Sequence, residues 1–437
     1  MSHLNIHSTS RRSFLRSCAG VFGGAAALAA QSAADYKALV CIFLFGGNDG
    51  NNMIVPMDTQ AYGAYTRGRQ SVGLEARALL PIQAQGRGYG LHPRFGDLQK
   101  LYGEKRMAVA ANVGMLVKPV KREEALQPRA PLPRNLYSHS DQTLQWQSSN
   151  PLGGGATGWL GRTSDLLTPE VTPLAPAVSF NGNSLLLTGL RTRPANLGGN
   201  GTYGLEGLDT SRLASVEKIM GMETGLTLMN AFGEVLTTGM RNAQELRRIF
   251  DGAPPLRTVF PQSGLGDQFR QIAQMISLRQ RTGVRRQVFF LGQGGYDNHS
   301  KLLEGQDGLF STLVPALNAF YRATEEIGMA DRVTLFTESE FGRTFGPSST
   351  AGSDHAWGNH QLVIGGAVKG GEMYGKFPDL TIRGPDDGGD RGQWIPSTSL
   401  DQYAASLAAW FGVPGADLNS ILPNLANFSA PRPAFLG

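Results

Sequence analysis

Histidines and acids recur together in this chain. His139, His299, His355 and His360 lie in polar segments beside acids or serines, and Asp49, Asp297 and Glu340 close or follow apolar runs. Carboxylates at strand ends, with imidazoles in the adjoining loops, form a ligand set for a hard or borderline divalent cation: Zn, Mn, Mg or Ca, one or two per chain. Each residue alone reads equally as a turn residue or a cap. The coincidence of the set on similar loops is what points to a metal. Ser138-His139-Ser140-Asp141 follows a Pro-rich stretch and sits where a helix would begin. A serine there is an N-cap on one reading. On the other it is a nucleophile, because helix-start amides and the helix dipole stabilise an alkoxide and an incoming phosphoryl or sulfuryl group. Arg343, just past Glu340, is either a clamp for oxyanion charge or an exposed surface residue.

Some chemistries are excluded. The chain has no Gly-x-x-x-x-Gly-Lys loop, no His-Glu-x-x-His, no Gly-x-Ser-x-Gly elbow and no Gly-x-Gly-x-x-Gly. P-loop nucleotide hydrolysis and zincin proteolysis are therefore not expected.

The elements that must position these residues follow from the apolar pattern. Residues 38–45 form a continuous apolar run that stops at Gly46-Gly47-Asn48-Asp49-Gly50. Residues 287–291 run into Gly294-Gly295-Tyr296-Asp297-Asn298-His299, and 332–337 into Glu338-Ser339-Glu340-Phe341-Gly342-Arg343. Such runs are strands buried on both faces of a parallel sheet. Between the last two, residues 309–327 place Leu309, Leu313, Leu317 and Phe320 at helical spacing. Strand, helix, strand predicts a doubly wound α/β fold that binds ligands at the carboxyl ends of its strands. Further strands are expected at 107–111, 177–180 and 361–364, and helices near 213–249 and 267–282. The segment 60–137 reads as loops and short elements. No repeat or clean linker divides residues 35–437, so one domain is expected, with insertions around 60–137 and 183–285.

The first 34 residues contain three arginines, Arg11, Arg12 and Arg16, and no Lys, Asp or Glu. Ser10-Arg11-Arg12-Ser13-Phe14-Leu15-Arg16, followed by the apolar stretch 19–30, reads as a bacterial twin-arginine export signal, too short to span a membrane. Cleavage is expected after Ala29 or Ala34. The twin-arginine translocase is then a partner during export, the location is periplasmic or secreted, and no stable membrane anchor is expected. Removing 1–34 takes three from 40 basic residues and none from 35 acidic ones, so the net charge falls from +5 to +2. That gives no electrostatic case for nucleic acid. Cys18 leaves with the signal, and Cys41 has no partner for a disulfide. The 41% apolar content rules out global disorder. Glycine, 57 of 437 residues, is nearly twice its usual share of about 7% and marks many tight turns.

At residues 45–50, Ser138-His139, residues 295–299, residues 339–344 and residues 352–355, the chain resembles the bacterial twin-arginine-exported family called domain of unknown function 1501. That family belongs to the alkaline phosphatase-like superfamily, with sulfatases and phosphomutases. The resemblance implies an alkaline phosphatase-like, doubly wound, mostly parallel sheet with helices on both faces and long loop insertions. It also implies adjacent metals and a Ser or Thr nucleophile. By similarity, Asp49 takes the first-strand aspartate and Ser138 the nucleophile position, with Ser140 as an alternate. Asp297 and His299 take the later ligands, and Ser353-Asp354-His355 resembles the last ligand segment. Glu340-Phe341 stands where relatives carry Asp-His, so one imidazole is missing unless His139 or His360 fills the gap. The expected function is a metal-dependent hydrolase of phosphate or sulfate esters, acting on a small-molecule or polymer ester. The alternative is a non-catalytic periplasmic binding or assembly protein with a degenerate metal site. An ester hydrolase of the Ser-Gly-Asn-His type would need an N-terminal Gly-Asp-Ser block, which is absent.

Overall fold

The computed structural model describes residues 35–168, 176–197, 210–222 and 253–437, with scattered positions between 226 and 250. Residues 1–34, read as the export signal, lie outside the described residues, as does much of the expected helix beyond Met220. In chain order the described strands are β1 (Lys37–Leu44), β2 (Ile54–Pro56), β3 (Leu80–Ala84), β4 (Arg87–Leu91), β5 (Met107–Gly114) and β6 (Ala177–Ser179). Then follow β7 (Ala195–Asn196), β8 (Arg286–Gln293), β9 (Val333–Glu338), β10 (Asn359–Gly365), β11 (Met373–Tyr374) and β12 (Thr398–Ser399). Nine of them form one sheet in the order β11-β5-β10-β9-β1-β8-β6-β7, with β12 also paired to β5. The pairings are parallel except around β10, which runs antiparallel to both β9 and β5.

The expectation of strands buried on both faces is met at β1. Ala38, Val40, Ile42 and Leu44 enter a core that includes Phe269, Ile272 and Ile276 of the helix Gly264–Ser277. Phe310, Leu313, Leu317 and Phe320 of the helix Leu302–Glu326 join the same core. Leu39, Cys41 and Phe43 point to the other core, with Trp159, Leu160, Tyr403, Leu407 and Phe411. The period-2 alternation of a strand makes both faces apolar only because helices cover both. The fold is thus α/β with a mostly parallel sheet, and Cys41 is a buried free thiol.

The span 60–137 contains the expected loops and short elements and the strand expected at 107–111, but the short strands are organised into a sheet of their own. The span holds part of a small antiparallel sheet ordered β2-β4-β3, the helices Thr59–Arg69 and Gly96–Gly103, and all of β5, which belongs to the main sheet. Gly88 and Gly90 in β4 and Pro81 in β3 dilute the apolar alternation that marks strands, which hides this sheet from the sequence pattern. Among the described residues no helix is long and apolar enough to cross a membrane.

Candidate metal centre

Because β8, β1 and β9 are parallel neighbours, their carboxyl-end loops lie side by side. Gly46 and Gly47 make that closeness workable, with φ of +113° and +77°. A Cβ on Gly46 would lie 2.4 Å from the Asp297 nitrogen, and one on Gly47 would lie 2.3 Å from the Phe341 ring. Only glycine fits both the left-handed backbone and the contact. The start of the helix His139–Ser148 completes the site from above the sheet edge.

Three imidazoles turn their Nε2 atoms toward a single oxygen, Asp297 Oδ1. The separations are 2.9 Å from His299, 3.3 Å from His355 and 3.4 Å from His139. His299 Nε2 and His355 Nε2 stand 3.2 Å apart. Each ring is held from behind through Nδ1: His139 by Glu340 Oε1 at 2.8 Å, His355 by the Tyr137 carbonyl at 2.7 Å, and His299 by Asp354 Oδ1 at 3.1 Å. A carbonyl and ionised carboxylates only accept, so every Nδ1 carries the hydrogen and every neutral ring presents a bare Nε2 lone pair. Partial burial pushes the His355 pKa down, which favours its neutral form, whereas the Glu340 hydrogen bond pushes the His139 pKa up, so a bound cation would have to displace that proton. His139 Nε2 is buried and has no hydrogen-bond partner. Four acceptors facing one another repel unless a proton or a cation lies between them.

The donor set fits a divalent cation. The ligand atoms of His139, Asp297 and His355 all lie within 4.8 Å of one another. Ligands about 2.1 Å from a common cation sit about 3.0–3.4 Å apart, the spacing seen here around Asp297. Backing each ligating imidazole through Nδ1 with a carboxylate or carbonyl is how proteins orient metal ligands. Burial works upward on the Asp297 carboxyl, but the Arg343 hydrogen bond and charge, together with His299 and His139, hold its pKa at about 2. Asp297 is thus an anion at any ordinary pH.

Other expected residues are placed differently. Glu340, anticipated as a ligand, is buried behind His139 and also accepts the Gly46 N–H at 2.8 Å. Asp354 backs His299 and pairs with Arg391. Arg343 is fully buried; it donates to the Gly46, Gly47 and Ser353 carbonyls and, at 2.5 Å, to Asp297 Oδ1. It therefore orients the Asp297 carboxylate instead of standing open as an oxyanion clamp. Ser138 is the N-cap of its helix, accepting from Asp141 N and donating to Asp141 Oδ2 at 2.7 Å, with Ser140 Oγ 3.2 Å away. Asp49 does not join the cluster: its carboxylate is buried, taken up by Asn51 and by an ion pair with Arg69. His360 is also apart. It is stacked on Phe377, its Nδ1 accepts the Asn112 N–H at 3.1 Å, and burial lowers its pKa to about 4. Of the two candidates to replace the missing imidazole, the structure brings in His139. Its ring centroid lies 4.8 Å from Phe341, which also stacks on His355 at 4.7 Å. Phe341 thus walls the cluster. Sequence reasoning missed the Tyr137 carbonyl, Arg69 and Arg391; a backbone acceptor carries no residue-type signal, and both arginines lie outside the strand-end loops.

These features define an α/β protein with a candidate divalent-cation centre at the carboxyl edge of a mostly parallel sheet. The chain belongs to the family described as Protein of unknown function (DUF1501), whose model matches residues 36–387. No curated protein matches the chain. Among solved structures it is similar to Ps i-CgsB, at 8% identity over 89% of this chain and 77% of that one, with a TM-score of 0.36. It is also similar to the lipoteichoic acid synthase LtaP from Listeria monocytogenes, at 8% identity over 75% of this chain and 65% of that one, TM-score 0.29. A third is the PsFucS1 sulfatase from Pseudoalteromonas sp., at 10% identity over 79% of this chain and 65% of that one, TM-score 0.29.

Proposed function

We propose that the chain is an exported metal-dependent hydrolase of phosphate or sulfate esters, with His139, Asp297 and His355 holding the cation and His299 beside them. The observation that carries this reading is the convergence of three Nδ1-backed imidazoles on one carboxylate oxygen. A divalent cation held there supplies Lewis-acid chemistry, polarising an ester oxygen and lowering the pKa of water. The chain's residues orient and balance it. Glu340, Asp354 and the Tyr137 carbonyl fix the three rings, and Arg343 fixes Asp297. With neutral imidazoles, the three carboxylates of Asp297, Glu340 and Asp354 outnumber the two guanidiniums of Arg343 and Arg391 by one. A divalent cation turns that net −1 into +1, which suits an anionic ester. Ser138 is the nucleophile in this reading, at the start of the helix that carries His139, with its hydroxyl donating to Asp141 Oδ2 at 2.7 Å. Export through the twin-arginine translocase to the periplasm or beyond is carried by Arg11-Arg12 and the apolar stretch behind them.

The non-catalytic binding or assembly reading draws support from the engagement of Arg343 and Ser138 in internal hydrogen bonds. Assay of Zn- or Mn-loaded protein on aryl phosphates and aryl sulfates separates the two. Turnover that falls at least about 100-fold in Ser138→Ala and in His139→Ala is expected. Full metal loading without turnover on either panel, and with ligand binding unchanged in Ser138→Ala, would remove the catalytic claim.

A further inference from the structure

The strand-end acids Asp49, Asp297 and Glu340 look alike in sequence, yet each has a different task. Asp297 faces the imidazoles, and Glu340 backs His139. Asp49 meets Arg69, and both side chains are completely buried. The hydrogen-bond acceptors of the Arg69 guanidinium are all oxygens, and the Phe345 ring centroid lies 5.9 Å from it. The guanidinium reaches Asp49 Oδ2, Asn52 Oδ1 at 3.1 Å, the Thr344 carbonyl at 3.2 Å and the Phe345 carbonyl at 3.1 Å. A carboxylate, an amide oxygen and two backbone carbonyls are the donor set of a hard divalent cation. Here a covalently attached cation fills it. The guanidinium also does the mechanical work of a bridging ion, tying the loop after β1 to the Glu340–Phe345 loop. Asn51 reinforces the tie, donating through Nδ2 to Asp49 Oδ1 at 2.8 Å and to the Arg343 carbonyl at 2.9 Å.

We infer that the centre is a one-cation site, in which the Arg69 guanidinium permanently occupies the position beside Asp49 that a second divalent cation would otherwise take. This inference rests on the metal reading above and sharpens it, since the strand-end acids alone leave one or two cations open. Two further observations support it. Asp49 Oδ1 is already committed to the Asn51 N–H at 3.0 Å, so neither oxygen is left for an incoming ion. Among the described residues, His139, Asp297 and His355 form the one group of three or more His, Cys, Asp or Glu side chains placed to share an ion. Releasing Asp49 would also strand a buried guanidinium, which keeps the pair closed even when divalent cations are abundant.

The test counts ions. The full chain is loaded with Mn2+, cleared of excess by gel filtration, and measured by elemental analysis and electron paramagnetic resonance. The expected result is one equivalent per chain with the spectrum of an isolated ion. That equivalent should bind at least tenfold more weakly in His139→Ala combined with His355→Ala, and should be retained in Asp49→Asn combined with Arg69→Met. Two equivalents, or the spectrum of an exchange-coupled pair, would overturn the inference and leave the metal reading standing. So would a single ion that survives the histidine changes and is lost from the Asp49/Arg69 variant. No bound Mn2+ in the folded wild-type chain would overturn the metal reading itself. The wild-type count decides the matter even if the Asp49/Arg69 variant fails to fold.

Discussion

Removing the carboxylate behind His139 probes the centre without touching a ligand. Glu340 is 2% exposed, and its Oε1 accepts from both Gly46 N–H and His139 Nδ1 at 2.8 Å. Glu340→Ala deletes both bonds. The imidazole is then free to rotate or to move its hydrogen to Nε2, and either change withdraws the lone pair from the cluster. Loss of such a backing partner typically weakens metal affinity about 10- to 100-fold, which is about 1.4–2.7 kcal/mol. The Gly46 N–H is left without its acceptor in a partly buried position, at a further cost in folding stability of about 1–3 kcal/mol. Glu340→Gln keeps an amide oxygen for one donor but loses the charge, so its affinity loss should fall at the lower end, near 10-fold. Competition for Zn2+ against a chromophoric chelator measures the affinities, and urea denaturation of the metal-free protein measures stability separately. A folded Glu340→Ala protein that holds Zn2+ within about twofold of wild type would refute the reasoning that Glu340 sets the His139 tautomer.

Three further outcomes are expected. Arg69→Met leaves Asp49 as a buried unpaired charge, which should destabilise the fold by about 3–5 kcal/mol and be largely reversed by adding Asp49→Asn; additive denaturation midpoints across that cycle would contradict the pairing. Gly47→Ala forces a side chain into the left-handed region and onto the Phe341 ring, at a cost of about 2–4 kcal/mol. An urea midpoint unchanged from wild type would show that the loop can relax. Glu338, buried against Cys41 and Trp159, has its pKa raised by desolvation to about 8. The unfolded chain ionises this acid from about pH 4.5 upward while the folded chain keeps it protonated, so its contribution to stability is lost as pH rises toward 8. Glu338→Gln should therefore gain on wild type across that window and level off above it, and a pH-independent difference would count against a protonated Glu338.

How far the sequence reveals this molecule depends on what kind of signal each residue leaves. β1, β8 and β9 are legible because strands covered on both faces lose the alternation of a half-exposed strand and become continuous apolar runs. Once those runs are strands of a parallel sheet, the loops after them must share one edge. That is why Asp297, His299, Glu340 and His355 could be gathered in advance. The division of labour within the edge is not legible. Whether a carboxylate binds an ion, backs an imidazole or meets a guanidinium depends on ångström-scale contacts such as Asp49 with Arg69, 20 residues further along and inside a helix of low amphipathic contrast. His360 shows the same limit: its polar neighbours suggest a loop, yet it lies in β10, where burial and the Asn112 N–H make it a core histidine. The helix Leu302–Glu326 begins before the expected position because residues 304–308, Glu-Gly-Gln-Asp-Gly, interrupt the apolar spacing between Leu302-Leu303 and Leu309.

The central claim, that His139, Asp297 and His355 converge to hold a divalent cation, is tested most directly by anomalous diffraction from crystals of the protein loaded with Zn2+. One anomalous peak is expected, bound by His139 Nε2, Asp297 and His355 Nε2 at about 2.0–2.2 Å. A peak held by other residues, or full-length protein that shows none after loading, would contradict it.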